Sequence, residues 1–297
     1  KDPEQRFESA AAVARAISEL LAAMSATDAT ATVTMPAVTD TTTGLLDQLV
    51  RGRMVGRMAE LEQLRSLWER ALEGRGHLAL VSGEPGSGKT RLARELIVQA
   101  QVAGAVVLRG GCYEYEATTP YLPFVEALRL WVNAEPDASL REMVGDGAAE
   151  LAKLAPELNS RLGPFAASAP LAAHEERLRL FDHVARFMQR LAERRGLLLF
   201  ADDLQWADQG TLALLHYLLR HLGTHRFLAL GAYREIELDR RHPLAAALVD
   251  WNRERLATRI ALGRLTREDT DRMLAVLLGQ DTVSDDFARA IFGETEG

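Results

Sequence analysis

Cysteine is nearly absent: Cys112 is the only one in 297 residues. No internal disulfide can staple the fold, and a reducing cytosol is the expected setting. Also missing is any apolar run near the roughly 20 residues needed to cross a bilayer, so no membrane-spanning helix is expected. Basic residues are not in excess: 35 Lys and Arg against 42 Asp and Glu leave a net charge of -7. That balance argues against a nucleic-acid module or a polybasic membrane anchor. With 22 glycines and 10 prolines, neither a collagen-like nor a bulk disordered chain fits. The start, Lys1-Asp2-Pro3, carries no signal-peptide pattern, and Glu294-Thr295-Glu296-Gly297 completes no element. The expectation is a segment of a longer protein.

What is present is an ordinary globular composition, 47% hydrophobic and 26% charged, enough for a sizeable core. In residues 1–24, Phe7, Val13, Ala14, Ile17, Leu20, Leu21 and Met24 recur at mostly helical spacing, as in an amphipathic helix seeking a partner. Residues 25–50 read as a linker. Eight threonines lie between Ser25 and Thr43 with no Lys or Arg and little bulky apolar content. An edge strand at Thr30 to Thr34 is the alternative. From residue 51 the pattern alternates between α and β. Leu61, Leu64, Leu67, Trp68 and Leu72 mark a helix. Apolar runs at His77–Ser82, Ala105–Gly110, Leu197–Ala201, Phe227–Gly231 and Arg259–Leu262 mark strands. Runs apolar at every position suit strands buried on both faces of a parallel sheet. The fold class expected is therefore α/β, a three-layer sandwich on a mainly parallel five-stranded sheet. Residues 120 to 195 carry helical periodicity almost alone, which predicts a helical insertion.

Gly83-Glu84-Pro85-Gly86-Ser87-Gly88-Lys89-Thr90 matches G-x-x-x-x-G-K-[ST] in full. Leu78-Ala79-Leu80-Val81 precedes it, and Leu92, Ala93, Leu96 and Ile97 follow at helical spacing, giving strand, loop and helix in the required order. Glycines let backbone N–H groups curl round an anion, and the helix N-terminus adds partial positive charge. Lys89 is expected to reach the β- and γ-phosphates of a nucleotide, and the Thr90 hydroxyl to ligate Mg²⁺. Arg91 joins the nucleotide-contacting set. Such a site also needs a carboxylate at the end of a neighbouring strand. Leu197–Ala201 runs into Asp202-Asp203. Asp202 is the candidate Mg²⁺ ligand, acting through water, and Asp203 the candidate base for attack on the γ-phosphate. The pair could instead cap the helix beginning near Asp208-Gln209-Gly210. Trp206 reads as packing under the loop and Asp208 as that helix's N-cap. The run from Phe227 ends at Tyr233-Arg234-Glu235, where Arg234 is placed to report whether a γ-phosphate is present.

These residues resemble a known family. Arg53-Met54-Val55-Gly56-Arg57, Glu60-Leu61, the Gly83–Thr90 loop and Leu199-Phe200-Ala201-Asp202-Asp203-Leu204-Gln205-Trp206-Ala207-Asp208 are similar to the AAA-like ATPase module of STAND-type signalling proteins. So are Gly111-Cys112-Tyr113-Glu114, Pro120-Tyr121-Leu122-Pro123-Phe124 and Gly231-Ala232-Tyr233-Arg234-Glu235. The resemblance implies ATP and ADP as ligands with Mg²⁺. It sets Val55, Gly56 and Arg57 against the adenine, and makes Arg234 a sensor arginine. It also implies an ATPase core over 51–263 and, over 264–297, the start of a helical lid that this segment leaves unfinished. ATP-dependent self-association stays open. Residues 1–24, with Lys1-Asp2-Pro3-Glu4-Gln5-Arg6-Phe7, resemble the end of a bacterial Ser/Thr protein-kinase domain. That likeness implies a covalently linked kinase and downstream output regions as partners.

Three functions are weighed on these residues: a slowly hydrolysing ATP switch, a nucleotide-stabilised scaffold without turnover, and a small-molecule phosphotransferase. No motif in 120 to 195 demands an acceptor pocket for the last. His216, His221 and His225 lack ligand-spaced partners and read as a polar helix face. Cys112 reads as a small buried hydrophobe. Arg240-Arg241-His242 and Arg253, Arg255 and Arg259 read as solvated basic clusters.

Overall fold

The computed structural model describes residues 54–116, 119–166, 168–238 and 242–297. The expectations for residues 1–24 and 25–50 lie outside the described residues, as do Arg240 and Arg241.

The chain runs α1 (Met58–Leu72), β1 (His77–Gly83), α2 (Lys89–Val102) and β2 (Val106–Gly111). A helical stretch follows: α3 (Leu122–Ala134), α4 (Asp137–Val144), α5 (Ala148–Leu151), α6 (Glu157–Leu162) and α7 (Ala173–Arg195). Then come β3 (Leu197–Asp202), α8 (Gln209–His221), β4 (Phe227–Tyr233), α9 (Pro243–Arg253), β5 (Ala257–Leu262), α10 (Arg267–Leu278) and α11 (Asp285–Thr295). The strands form one parallel sheet in the order β2-β3-β4-β1-β5. The α/β expectation holds, helical insertion included.

Period-two alternation divides each strand between two apolar layers. Leu78 and Leu80 of β1, with Leu197, Leu199 and Ala201 of β3, join the core built with α3, α7, α8 and α9. Ala79 and Val81, with Leu198 and Phe200, join the core under α1 and α2. Both faces are covered, which is why these strands read as unbroken apolar runs. β5 departs from that pattern and begins two residues before the expected run. As an edge strand it leaves Thr258, Arg259 and Ala261 exposed, so an apolar-run criterion misses its start.

The strand order corrects one expectation. β3 is not beside β1, because β4 lies between them. The carboxylate after β3 is met instead from the start of α2, where the Thr90 hydroxyl lies 2.9 Å from Asp202 Oδ2.

Helix α3 approaches β2 closely. A Cβ on Gly110 would sit 2.1 Å from the Pro123 carbonyl oxygen. Gly110→Ala is expected to force the helix away from the sheet, at about 2 kcal/mol of stability. Urea unfolding should show a lower midpoint at unchanged slope.

Candidate phosphate-binding site

Helix α2 starts at Lys89 straight out of the glycine loop. Gly86 and Gly88 take φ of +80° and +96°, the left-handed region that glycine enters without strain. A Cβ on either would meet nothing within 4 Å, so it is the backbone conformation, not crowding, that calls for glycine. No side chain caps α2, and its first turn carries no acidic residue. The free N–H groups and the positive end of the helix dipole are left for an anion.

Lys89 is 7% exposed, and its ammonium donates to the carbonyls of Gly83 at 3.0 Å and Glu84 at 2.9 Å. Burial holds its pKa below the ordinary lysine value, and Arg234 pushes the same way against Asp203, Asp202 and Glu237. The Thr90 hydroxyl donates to Asp202 Oδ2 at 2.9 Å. That contact joins the start of α2 to the end of β3. Burial raises the Asp202 pKa, and Asp203 adds to the rise, while bonds from Thr90 and the Asp203 N–H oppose it.

Asp203 turns the chain out of the sheet with φ +52° and ψ +46°, a left-handed conformation that Asp tolerates better than most residues. Its N–H donates to Asp202 Oδ1 at 3.0 Å. Its own Oδ1 accepts from Gln205 Nε2 at 2.8 Å and faces Arg234 Nε at 3.5 Å. Arg234 also pairs with Glu237 Oε1 at 2.9 Å. Thus the two sequence-nominated groups after β3 and β4 meet directly. Gln205 is the residue that sequence reasoning passed over. It is 2% exposed, and its Oε1 accepts the Arg234 backbone N–H at 3.0 Å. Only the left-handed turn at Asp203 brings its side chain back over the strand ends.

Arg57 lies 7% exposed behind the phosphate loop. Its guanidinium donates to Ser87 O at 3.3 Å, to Gly263 O and to Glu60 Oε1 at 3.2 Å. It ties the loop to the exit of β5, and all three contacts are within the protein. Gly56 lies against the start of the expected lid, where a Cβ would come within 2.8 Å of Leu265 and Asp269 side-chain atoms. Val55 is half-buried beside it. From the lid side, Arg264 pairs with Glu84 Oε2 at 3.1 Å and with Glu296. Arg91 is turned along its own helix to Glu95 at 3.0 Å.

Asp208 is the N-cap of α8, accepting from the Gly210 N–H at 2.7 Å and the Thr211 N–H at 3.0 Å. It also accepts from Tyr121 N–H at 3.2 Å, which fixes the start of α3. Trp206 packs against the sheet core from the short turn at Leu204–Trp206. Cys112 is buried, its thiol pushed up to about 12 by burial and the surrounding carboxylates. Arg259 is exposed, in line with the solvated reading, and also has partners within the protein. Its guanidinium donates to Ser82 Oγ at 3.0 Å and pairs with Glu235, because the exposed edge face of β5 lies beside the end of β1. His216 faces Glu254 at 3.5 Å, and His221 stacks on Tyr217.

The residues present fit a nucleotide polyphosphate with Mg²⁺. The loop offers helix N–H groups without a side-chain cap and a buried ammonium that, among the described residues, donates to two loop carbonyls. The Thr90 hydroxyl and Asp202 carboxylate are hard oxygen donors of the kind Mg²⁺ takes. Among the described residues no cluster of three or more His, Cys, Asp or Glu could hold a metal. Mg²⁺ needs none, since water and phosphate fill most of its coordination sphere.

A parallel α/β sheet with this loop and this carboxylate pair defines a P-loop nucleoside-triphosphatase fold. The family model described as AAA ATPase domain matches residues 53–230, more than half of the chain, and the protein belongs to that family. Lys89, Thr90, Asp202, Asp203 and Gln205 lie within the match, and Arg234 lies beyond it. No curated protein matches. Among solved structures, the chain is similar to one from an E. coli HORMA:CdnC:Trip13 complex, at 12% identity and TM-score 0.46, covering 86% of this chain and 77% of that one. It is also similar to one from Drosophila ORC bound to DNA, at 16% identity and TM-score 0.37, covering 70% of this chain and 94% of that one. Likenesses this low leave the family match to carry the assignment.

Proposed function

We propose that the chain is a Mg²⁺-dependent, ATP-hydrolysing switch module of a larger signal-transduction protein. The observation that carries this reading is the meeting of Asp203 with Arg234 at adjacent strand ends, beside the Thr90–Asp202 contact. Lys89 and the α2 N–H groups bind the phosphates; Thr90 and, through water, Asp202 would hold Mg²⁺, which would supply charge to offset that of the phosphate oxygens. Asp203 accepts a proton from the attacking water. Arg234, shared between Asp203 and Glu237, would exchange its contact with Asp203 for a γ-phosphate, so ATP and ADP would favour different arrangements of these ends.

The domain reading supporting this role is a kinase-like remnant over 1–24, a linker over 25–50, the ATPase core over 51–263 and a lid over 264–297. The sequence resemblance to STAND-type modules supports the signalling role, the choice of adenine, and the placing of Val55, Gly56 and Arg57 against the base. One observation favours a scaffold instead: Asp203 Oδ1 already faces two donors, Gln205 and Arg234.

Single-turnover hydrolysis separates the two readings. With protein in excess over γ-labelled ATP and Mg²⁺, release of phosphate is expected within minutes to hours. ATP bound and uncleaved after that time would establish the scaffold and overturn the switch.

A further inference from the structure

We infer that Gln205 is the positioning residue of the hydrolytic site, holding Asp203 in place and coupling it to the strand that carries Arg234. This inference rests on the reading of Asp203 as the base. The geometry is specific to a carboxamide. Nε2 donates to Asp203 Oδ1 at 2.8 Å, and Oε1 accepts the Arg234 N–H at 3.0 Å. A carboxylate could serve only the second contact, and an aliphatic side chain neither. The side chain is 2% exposed, so water cannot easily replace it at either contact.

The position explains the need for such a bridge. Asp203 stands at φ +52°, past the last residue of β3, so its position is not set by the sheet ladder. β3 and β4 pair in register from Leu197 with Phe227 through Ala201 with Gly231. Beyond that pairing the two strand ends are joined by the Gln205 amide and the looser Asp203–Arg234 contact at 3.5 Å. When Arg234 turns to a γ-phosphate, Gln205 still holds Asp203 against the end of β4. The carboxylate is then kept in a fixed direction at the moment its ion-pair partner leaves. A general base gains rate from such fixed placement, and small displacements are costly.

Two variants test this, each with two readouts. Gln205→Met removes both contacts at similar volume, whereas Gln205→Glu keeps the acceptor for Arg234 and removes the donor to Asp203. Hydrogen exchange on the free protein should show faster exchange at the Arg234 amide in Gln205→Met and wild-type protection in Gln205→Glu, with β3 and β4 amides unchanged in both. Single-turnover hydrolysis should fall tenfold or more in both variants, with ATP affinity within twofold of wild type. Loss of protection across β3 and β4 in Gln205→Met would make that variant a folding defect, and Gln205→Glu then decides. A wild-type hydrolysis rate in Gln205→Glu overturns the positioning role. Lost turnover in Asp203→Asn together with wild-type turnover in both Gln205 variants overturns Gln205 alone. Full turnover in Asp203→Asn, or none in the wild type, overturns the reading of the base and the role of Gln205 with it.

Discussion

Lys89→Ala is expected to weaken ATP binding by about two orders of magnitude while leaving the fold intact. The side chain is 7% exposed, and among the described residues its ammonium donates to two loop carbonyls. Burial depresses its pKa, so the charged form is carried at a cost that a bound polyphosphate offsets. A hydrogen bond from a charged group is worth about 1.5–3 kcal/mol, and losing one or two of them to phosphate approaches 3 kcal/mol. That corresponds to roughly a hundredfold in Kd. The helix tolerates the change, since alanine is the best helix former and position 89 is the first residue of α2. Calorimetric titration with ATP and Mg²⁺ checks affinity, and thermal unfolding without nucleotide checks the fold. Binding within threefold of wild type would remove Lys89 from the phosphate site.

Why Lys89 was legible in the sequence and Gln205 was not follows from the range of the contacts involved. The glycine loop is a local device: its strand, turn and helix occupy one short stretch, and its φ requirements appear as glycine at fixed offsets. Asp202 was legible for a related reason, because a strand buried on both faces announces its own end. The remaining contacts cross the molecule. Thr90 meets Asp202 and Arg57 meets Gly263 across long stretches of chain, and both depend on strand order. Sequence reading asked for the carboxylates on a neighbouring strand; β4 separates β3 from β1, and its pairing with β3 brings Arg234 against Asp203. Gln205 was invisible because a glutamine beside a tryptophan has no periodic signature. Only the left-handed backbone at Asp203 gives it two partners. Arg259 is exposed, as its spacing suggests, but spacing alone does not show the partners that the sheet edge supplies, Ser82 and Glu235.

Asp203→Asn is expected to retain ATP and lose its cleavage, lowering the single-turnover rate by about a thousandfold, within the range attributed to a positioned general base. Several features make this variant a clean subtraction. Asparagine is isosteric and enters the left-handed region that residue 203 occupies at φ +52°. Its side-chain carbonyl can still accept from Gln205 Nε2, so the bond seen at 2.8 Å has a replacement acceptor. Arg234 loses a charged neighbour at 3.5 Å but keeps Glu237 at 2.9 Å, so the end of β4 stays anchored. Lys89, Thr90 and Asp202 are untouched, and they are the groups assigned to phosphate and metal. What disappears is the carboxylate at the end of β3 that is free of a metal role and able to take a proton. Binding preserved with cleavage lost would therefore assign the proton transfer to Asp203. If cleavage persists, the base must be sought elsewhere, and Glu237, which shares Arg234 with Asp203, is the next carboxylate to replace.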